Sequence, residues 1–243
     1  VKVLSEAAQQ SLQRLGGGKD METMILLFSA LAHLMARHSR SEYIVVDAPL
    51  LKQAEMEMIW ETRVPVILPA MAATVKDQII QTDALLRKSF QYQNAPFEII
   101  ANGLELPATN TAFTFKPLAQ NSLKSADYDL HFQVDRKTEG QLKFSIDYVE
   151  ERFSASWISE LLNQYERILE AYANPTLSLN QLNILSDEER RKLDAWEQGA
   201  VVPATVDSLI DQIRNMAEVQ PEAYATALCD ENGQHNQLTY GTL

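Results

Sequence analysis

The stretch METMILLFSALAHLM, Met21 to Met35, sets the hardest condition on this chain. Met24, Leu27, Phe28, Leu31, Leu34 and Met35 recur at helical spacing, and further apolar residues occupy the other faces. Such a helix cannot lie on a surface and needs cover on nearly every side. It is also too short for a bilayer: the run Met24 to Met35 is about 12 residues and carries His33, against the roughly 20 needed to span. The fold must therefore wrap this helix in protein. A length of 243 residues with 46% hydrophobic content supplies one large core or two modest ones.

The surrounding pattern says what wraps it. Ser5 can cap a helix carrying Ala8, Leu12 and Leu15, stopped by Gly16-Gly17-Gly18, and Asp20 can cap the long apolar helix, which ends near His38-Ser39-Arg40-Ser41. Tyr43-Ile44-Val45-Val46 reads as a buried strand ended by Pro49, and Val64 to Leu68 as a strand that Pro65 confines to an edge or a start. Residues 50 to 63 mix apolar and charged side chains without a clear period. Thr74-x-x-Asp77 opens a helix with Val75, Ile79, Leu86 and Phe90 on one stripe. Then comes YQNAPFEII, Tyr92 to Ile100, a turn in which Pro96 suits the first turn of a short helix. Ala112 to Phe115 is a short strand; Tyr128 to Val134 and Leu142 to Val149 alternate as a hairpin does. Ser154 opens a helix with Trp157, Leu161, Tyr165, Ile168 and Tyr172 on its stripe, ended by Asn174-Pro175. Ser186-x-x-Glu189 is a capping box, and Gly199 to Thr205 a linker. A helix over Val206 to Val219, a strand over Tyr224 to Cys229 and a turn into Leu238-Thr239-Tyr240 follow, with too few apolar residues for a core of their own. The whole predicts an α/β layered domain with a piece of a further domain at its end.

Charge and cysteine usage exclude several functions. The net charge of -12 repels phosphate backbones, so nucleic acid is not expected as a partner. The N-terminus VKVLSEAAQQ lacks a signal-peptide core, and no membrane association is expected; a soluble cytoplasmic protein is. A single cysteine, Cys229, rules out a disulfide framework or a cysteine-rich zinc site and reads as a small buried strand residue.

No catalytic constellation stands out. His33 and His38 lie roughly 140° apart around one helix and cannot grip a metal together as an i, i+4 pair would. His131 sits between Leu130 and Phe132 on a strand, and His235 lies in an acidic turn. Gly16-Gly17-Gly18-Lys19 has neither the preceding strand nor the following Ser/Thr of a phosphate loop. Glu150-Glu151 and Asp187-Glu188-Glu189 read as helix starts and solvated faces.

Four stretches in order resemble the C-terminal half of a condensation domain of nonribosomal peptide synthetases. Glu22 to Leu50 resembles the family's "lLaaf..lLaRysgqddivvGtPv"; Tyr92 to Glu98 resembles "HQDyPFE", with Gln93, Pro96, Phe97 and Glu98 matching while Tyr92 and Asn94 replace the histidine and aspartate. Tyr128 to Arg190 follows the family's closing pattern, and QPEAYATAL with LTYGTL resembles the start of an adenylation domain. The family's HHxxxDG signature, whose second histidine is thought to act on the amine nucleophile, belongs to the N-terminal lobe and has no counterpart here. The "GxFVNtlpLR" segment is Trp60 to Ile67 here, without its glycine, asparagine and final arginine, and Asn110 is a remnant of "RDxSRNPL".

The resemblance implies half of a chloramphenicol-acetyltransferase-like condensation fold over residues 1–185, a linker over 186–205 and the first adenylation-domain residues over 206–243. It implies no catalytic, cofactor-binding or metal residue in this chain; phosphopantetheine on a carrier domain, and ATP and Mg in the adenylation domain, belong to the parent. The expected role is a non-catalytic module packing against the adjacent adenylation domain, with a carrier protein or a missing N-lobe as further partners. The alternatives are the C-lobe half of an active condensation domain, and an unrelated acidic α/β binding protein. Leu50, Leu51, Met56, Met58, Ile59 and Trp60 are the candidates to face a partner, unless they fold into the lobe's own core.

Overall fold

The computed structural model describes residues 1–52, 63–69, 72–103, 105, 108–137, 140–198, 208–229 and 235–243. They form two units, Val1–Glu188 and Glu189–Leu243. In the first unit β1 (Lys2–Val3) leads to α1 (Glu6–Gly16), where Ser5 Oγ accepts the Ala8 N–H and Gly17, at φ 57°, closes the C-terminus by donating to the Gln13 carbonyl. α2 (Asp20–Ser39) follows; Lys19 rather than Asp20 holds the N-cap position, and Asp20 lies inside the first turn, where its charge favours the positive end of the helix. β2 (Tyr43–Ala48), β3 (Val64–Pro69), α3 (Val75–Gln91), α4 (Phe97–Gly103), β4 (Thr111–Phe115), β5 (Leu130–Arg136), β6 (Leu142–Tyr148) and α5 (Ala155–Ala171) complete it. Thr74 and Ser154 cap α3 and α5 through their side chains, as their spacing predicts.

The sheet is mixed, in the order β1-β6-β5-β4-β2-β3. β2 runs parallel to β4 and β4 to β5, while the β2–β3, β5–β6 and β1–β6 pairs are antiparallel. β3 lies on the edge that Pro65 calls for.

Strand alternation divides the sheet into two faces. Ile44, Val46, Ala48, Val64, Val66, Leu68, Phe113, Phe115, Phe132, Val134, Phe144 and Ile146 are buried and point toward the helices. α2 is the centre of that layer: thirteen of its residues are buried. Phe28 meets Phe113 at 4.5 Å between ring centroids, and on the next helix Tyr165 stacks on Phe144 at 4.6 Å and 19°. Two hydroxyls tie α5 to α2. Tyr165 Oη donates to the Leu27 carbonyl at 2.8 Å, and Tyr172 Oη shares a hydrogen bond with Ser29 Oγ at 3.0 Å. Both aromatic rings thereby satisfy their polar ends inside the core.

The second unit holds α6 (Asp187–Gln198, whose first two residues fall in the first unit), α7 (Leu209–Val219) and the hairpin β7 (Tyr224–Cys229) and β8 (His235–Thr239). Ser208 and Asp211 form a reciprocal capping box at the start of α7. None of the α6 and α7 residues is buried. Among the described residues no helix is long and apolar enough to cross a membrane.

Two outcomes test this packing. Phe144→Ala removes the stacked partner of Tyr165 and should cost about 3–5 kcal/mol in urea unfolding; a loss below about 1 kcal/mol would contradict the packed layer. His33, within α2, is held down to about 4 by burial and, less, by Arg37. Its folded pKa lies below the unfolded 6.5, so its contribution to stability is full above 6.5 and is lost as pH falls toward 4. Relative to His33→Gln, the wild-type chain should lose roughly 3 kcal/mol across that window. Parallel pH profiles of the two proteins would refute the assignment.

Candidate functional site

The opposite face of the sheet carries the chain's polar grouping. In register, Pro65 of β3 opposes Asp47 of β2, Asp47 opposes Ala112 of β4, Ala112 opposes His131 of β5, and His131 opposes Asp147 of β6. One row across five strands thus places two carboxylates and an imidazole on one face. The connection between the parallel strands β4 and β5, residues 116–129, reaches this face and brings Ser125 and Tyr128 to the row.

Asp47 is fully buried. Its Oδ2 accepts from Arg63 Nη1 at 2.5 Å and from Tyr128 Oη at 3.2 Å, while Oδ1 has no hydrogen-bond partner among the described residues. Burial pushes the Asp47 carboxyl above its ordinary range; Arg63, Tyr128 and Thr109 pull the other way without cancelling it. Burial, then the Asp47 charge, raises the Tyr128 phenol. The Arg63 guanidinium stands 5.7 Å from the centre of the Phe97 ring, so the first residue of α4 covers the ion pair.

Tyr128 also packs on His131, with ring centroids 6.0 Å apart. His131 is buried, its Nε2 lies 2.9 Å from Thr114 Oγ1 and its Nδ1 2.8 Å from Ser125 Oγ. Ser125 gives its one proton to Asp147 Oδ2 at 2.6 Å, so it accepts from Nδ1–H. Nε2 is then the unprotonated nitrogen and accepts the Thr114 hydroxyl. Gln133 Nε2 donates to the same Asp147 oxygen at 2.6 Å. Burial lowers the His131 pKa against the pull of Asp147. A cavity of about 240 Å³ adjoins the ring, lined by Thr114, Lys116, Asn121, Ser122 and Gln133 among others. The imidazole can therefore reach solvent space, yet both its nitrogens are engaged inside the protein. To act as a base it would first have to release Thr114.

The residues singled out in the sequence surround this row. Gln93 is buried and its Oε1 accepts the Leu51 N–H at 2.8 Å. Phe97 covers Arg63, Pro96 is exposed just ahead of α4, and the Glu98 side chain lies outside the described residues. Asn110 is exposed; its carbonyl accepts the amides of Asp129 at 2.9 Å and Leu130 at 3.2 Å, fixing the entry to β5. Leu50, a candidate to face a partner, is only 1% exposed and sits in this unit's own core. Its N–H donates to Asn121 Oδ1 and its carbonyl accepts the Gln120 N–H, which draws the side chain inward. Leu51 is half-buried against the same core. Met56, Met58, Ile59 and Trp60 lie outside the described residues. His38 bonds Gln164 Oε1 at 2.8 Å and meets Trp157 edge-on.

Asp47 and Arg63 were not among the candidates. The signal was a carboxylate within the apolar run YIVVDAPL, at the position where the family pattern "ivvGtPv" has glycine. Asp47→Ala should destabilise the chain by about 3–5 kcal/mol, because it takes away the buried carboxylate that Arg63 and Tyr128 both bond. Combined with Arg63→Ala, the loss should fall short of the sum of the single losses by about 1–3 kcal/mol. Additivity in urea unfolding would show that the two charges do not act as a pair.

Comparison with known proteins places this arrangement. Residues 2–194 match the family described as Condensation domain. Tyrocidine synthase 3 of Brevibacillus parabrevis is 22% identical over 261 residues, covering 96% of this chain and 4% of that protein. Bacitracin synthase 3 of Bacillus licheniformis is 24% identical over 244 residues, 88% of this chain and again 4% of the relative. The chain therefore spans a few per cent of the length of these relatives. Among solved structures, the X-domain in complex with OxyB from teicoplanin biosynthesis superposes with a TM-score of 0.62 at 19% identity, over 76% of this chain and 47% of that one. Holo-AB3403, a four-domain nonribosomal peptide synthetase bound to AMP and glycine, gives 0.69 at 14% identity over 99% of this chain and 21% of that one. The mixed sheet backed by helices is the fold these structures share, and the chain belongs to the condensation domain family.

Proposed function

We propose that this chain serves a nonribosomal peptide synthetase as a non-catalytic module, a condensation-type lobe over residues 1–185 that packs against and orients a following adenylation domain. In this reading residues 186–205 are the linker and 206–243 the opening of the adenylation domain. The observation that carries it is the closed state of the polar row. Asp47 is neutralised by Arg63, and the two nitrogens of His131 are taken by Thr114 and Ser125. These groups hold strands and a crossover together, which is a bracing role. The likeness over 99% of the chain to a four-domain synthetase supports the inclusion of the last residues. The X-domain, found in complex with OxyB, supports a binding role for a fold of this kind. Among the described residues no three His, Cys, Asp or Glu side chains group as a cation site requires. Phosphopantetheine, ATP and Mg belong in this reading to other parts of the parent.

A second reading is favoured by one observation. On the same face, Tyr43 and the directly paired Val45 and Ile67 are 61%, 46% and 49% exposed. An apolar strip beside a buried polar row is what a second lobe of an active condensation domain would cover.

Deleting residues 1–185 from the parent synthetase should lower soluble yield and aminoacyl adenylation; unchanged values would overturn the bracing role. His131→Gln in the intact parent separates the readings. Peptide formation within about threefold of wild type fits the brace, whereas a loss of about 10²-fold or more in a folded protein fits a catalytic lobe.

A further inference from the structure

The bonds that brace the polar row also set up a hydroxyl. In the parallel β4–β5 pair Ala112 opposes His131 and Thr114 opposes Gln133, so Thr114 stands two residues along β4 from the position opposite the ring, on the same face. Its Oγ1 donates to His131 Nε2 at 2.9 Å. On the far side of the ring Nδ1–H donates to Ser125 Oγ at 2.8 Å, and Ser125 donates to Asp147 Oδ2 at 2.6 Å. Hydroxyl, imidazole, hydroxyl and carboxylate thus form one line with a single proton direction. That is the order of an activated nucleophile: a hydroxyl bonded to a base, and a base held in its tautomer by a third group. Ser125 is an added link, which carries the pull of the Asp147 charge to Nδ1.

The hydroxyl end of this line borders open space. Thr114 and His131 both line the cavity of about 240 Å³, with Lys116, Asn121, Ser122 and Gln133 among its other walls. Thr114 is 5% exposed and faces away from the helical core. A network that only braced strands would be served as well by packed side chains. Lys116 adds a cation to the same wall, paired with Asp135 at 3.6 Å. Burial lowers the His131 pKa, with Asp147 opposing that shift and Lys116 adding to it, so the ring is the free base at neutral pH. The volume falls below the roughly 300–1,000 Å³ of ordinary ligand pockets, which limits an entering chain to about two to four carbons.

We propose that Thr114 is an acylation site that takes a short acyl group from an activated ester or thioester, with His131 as its base and Ser125 and Asp147 holding the ring. Thr114 Oγ1 attacks the carbonyl carbon, and its proton passes to His131 Nε2. The proton taken is the one already shared with the ring, so Thr114 need not be released beforehand. In a thioester the carbon–sulfur bond then breaks, its electron pair leaves with the thiolate, and His131 gives the proton to that thiolate or to water. The products are an O-acyl threonine and a free thiol. The step needs no second lobe, amine or carrier domain. It therefore stands apart from the bracing role, which is read in the parent synthetase, whereas acylation is read in the chain alone.

The test incubates the 243-residue chain at neutral pH with S-phenyl thioacetate and locates acetyl groups by peptide mass spectrometry. Thr114 should be acetylated. His131→Gln should slow that labelling by about 10²-fold or more. S-phenyl thiodecanoate should label Thr114 at least about tenfold more slowly than the acetyl donor, because its chain exceeds the cavity. In Thr114→Val, Ser122 and Ser125 should stay unlabelled. The wild-type chain in concentrated urea should lose Thr114 labelling, a comparison that does not depend on any variant folding. The proposal is overturned if lysines are acetylated and Thr114 is not, or if native and unfolded chains label Thr114 at one rate. It is equally overturned if folded His131→Gln labels as fast as wild type, if the decanoyl donor matches the acetyl donor, or if Ser122 or Ser125 in Thr114→Val takes the label as fast as Thr114 did.

Discussion

The burial of one twenty-residue helix organises the first unit. α2 is apolar on too many faces to sit at a boundary, so α1, α3 and α5 surround it and the inner face of the sheet closes it from below. The aromatic contacts follow from that geometry. Phe113 meets α2 directly, and Phe144 meets it through Tyr165, whose hydroxyl ends on the α2 backbone. Because strand side chains alternate, the commitment of odd positions on β4 and even positions on β5 to this core sends Ala112, Thr114, His131 and Gln133 to the other face. The polar row is thus a by-product of how the core is built, and its registry is as firm as the core.

That row shows how a buried charge is tolerated. Asp47 has traded water for a guanidinium and a phenol, and Arg63 in turn is shielded by the Phe97 ring. The turn from Tyr92 to Ile100 earns its motif-like appearance here: Gln93 anchors the chain after β2 and Phe97 covers the ion pair, so one short segment fastens β2 and the entry to β3. Removing Arg63 leaves the buried Asp47 carboxylate without its counter-charge, which costs more than the pair contributes when intact.

Much of this was legible in the residues. The helix over Met24 to Met35, the caps at Ser5, Thr74 and Ser154, the edge position of the Pro65 strand and the β5–β6 hairpin all follow from local rules of spacing and capping. The parallel β2–β4–β5 pairing does not, because long-range strand order leaves little mark on local sequence. The polar row leaves no local mark for the same reason: Asp47, Arg63, Tyr128 and His131 are brought together by register, not by proximity in the chain. The place of His131 on a strand follows from its neighbours Leu130 and Phe132, but its link through Ser125 to Asp147 depends on a crossover whose path no periodicity reveals. Leu50 is a candidate to face a partner because the resemblance sets it toward a missing N-lobe; backbone bonds to Asn121 and Gln120 hold it in the unit's own core instead.

The two prolines of β3 bear on how the molecule behaves in a crowd. Pro65, Ile67 and Pro69 share one orientation along the outermost strand, and two of the three have no amide hydrogen. A stray extended peptide seeking to lengthen the sheet along β3 finds too few donors there. The β3 margin can thus display apolar Ile67, beside Val45, without offering a backbone ladder to another copy.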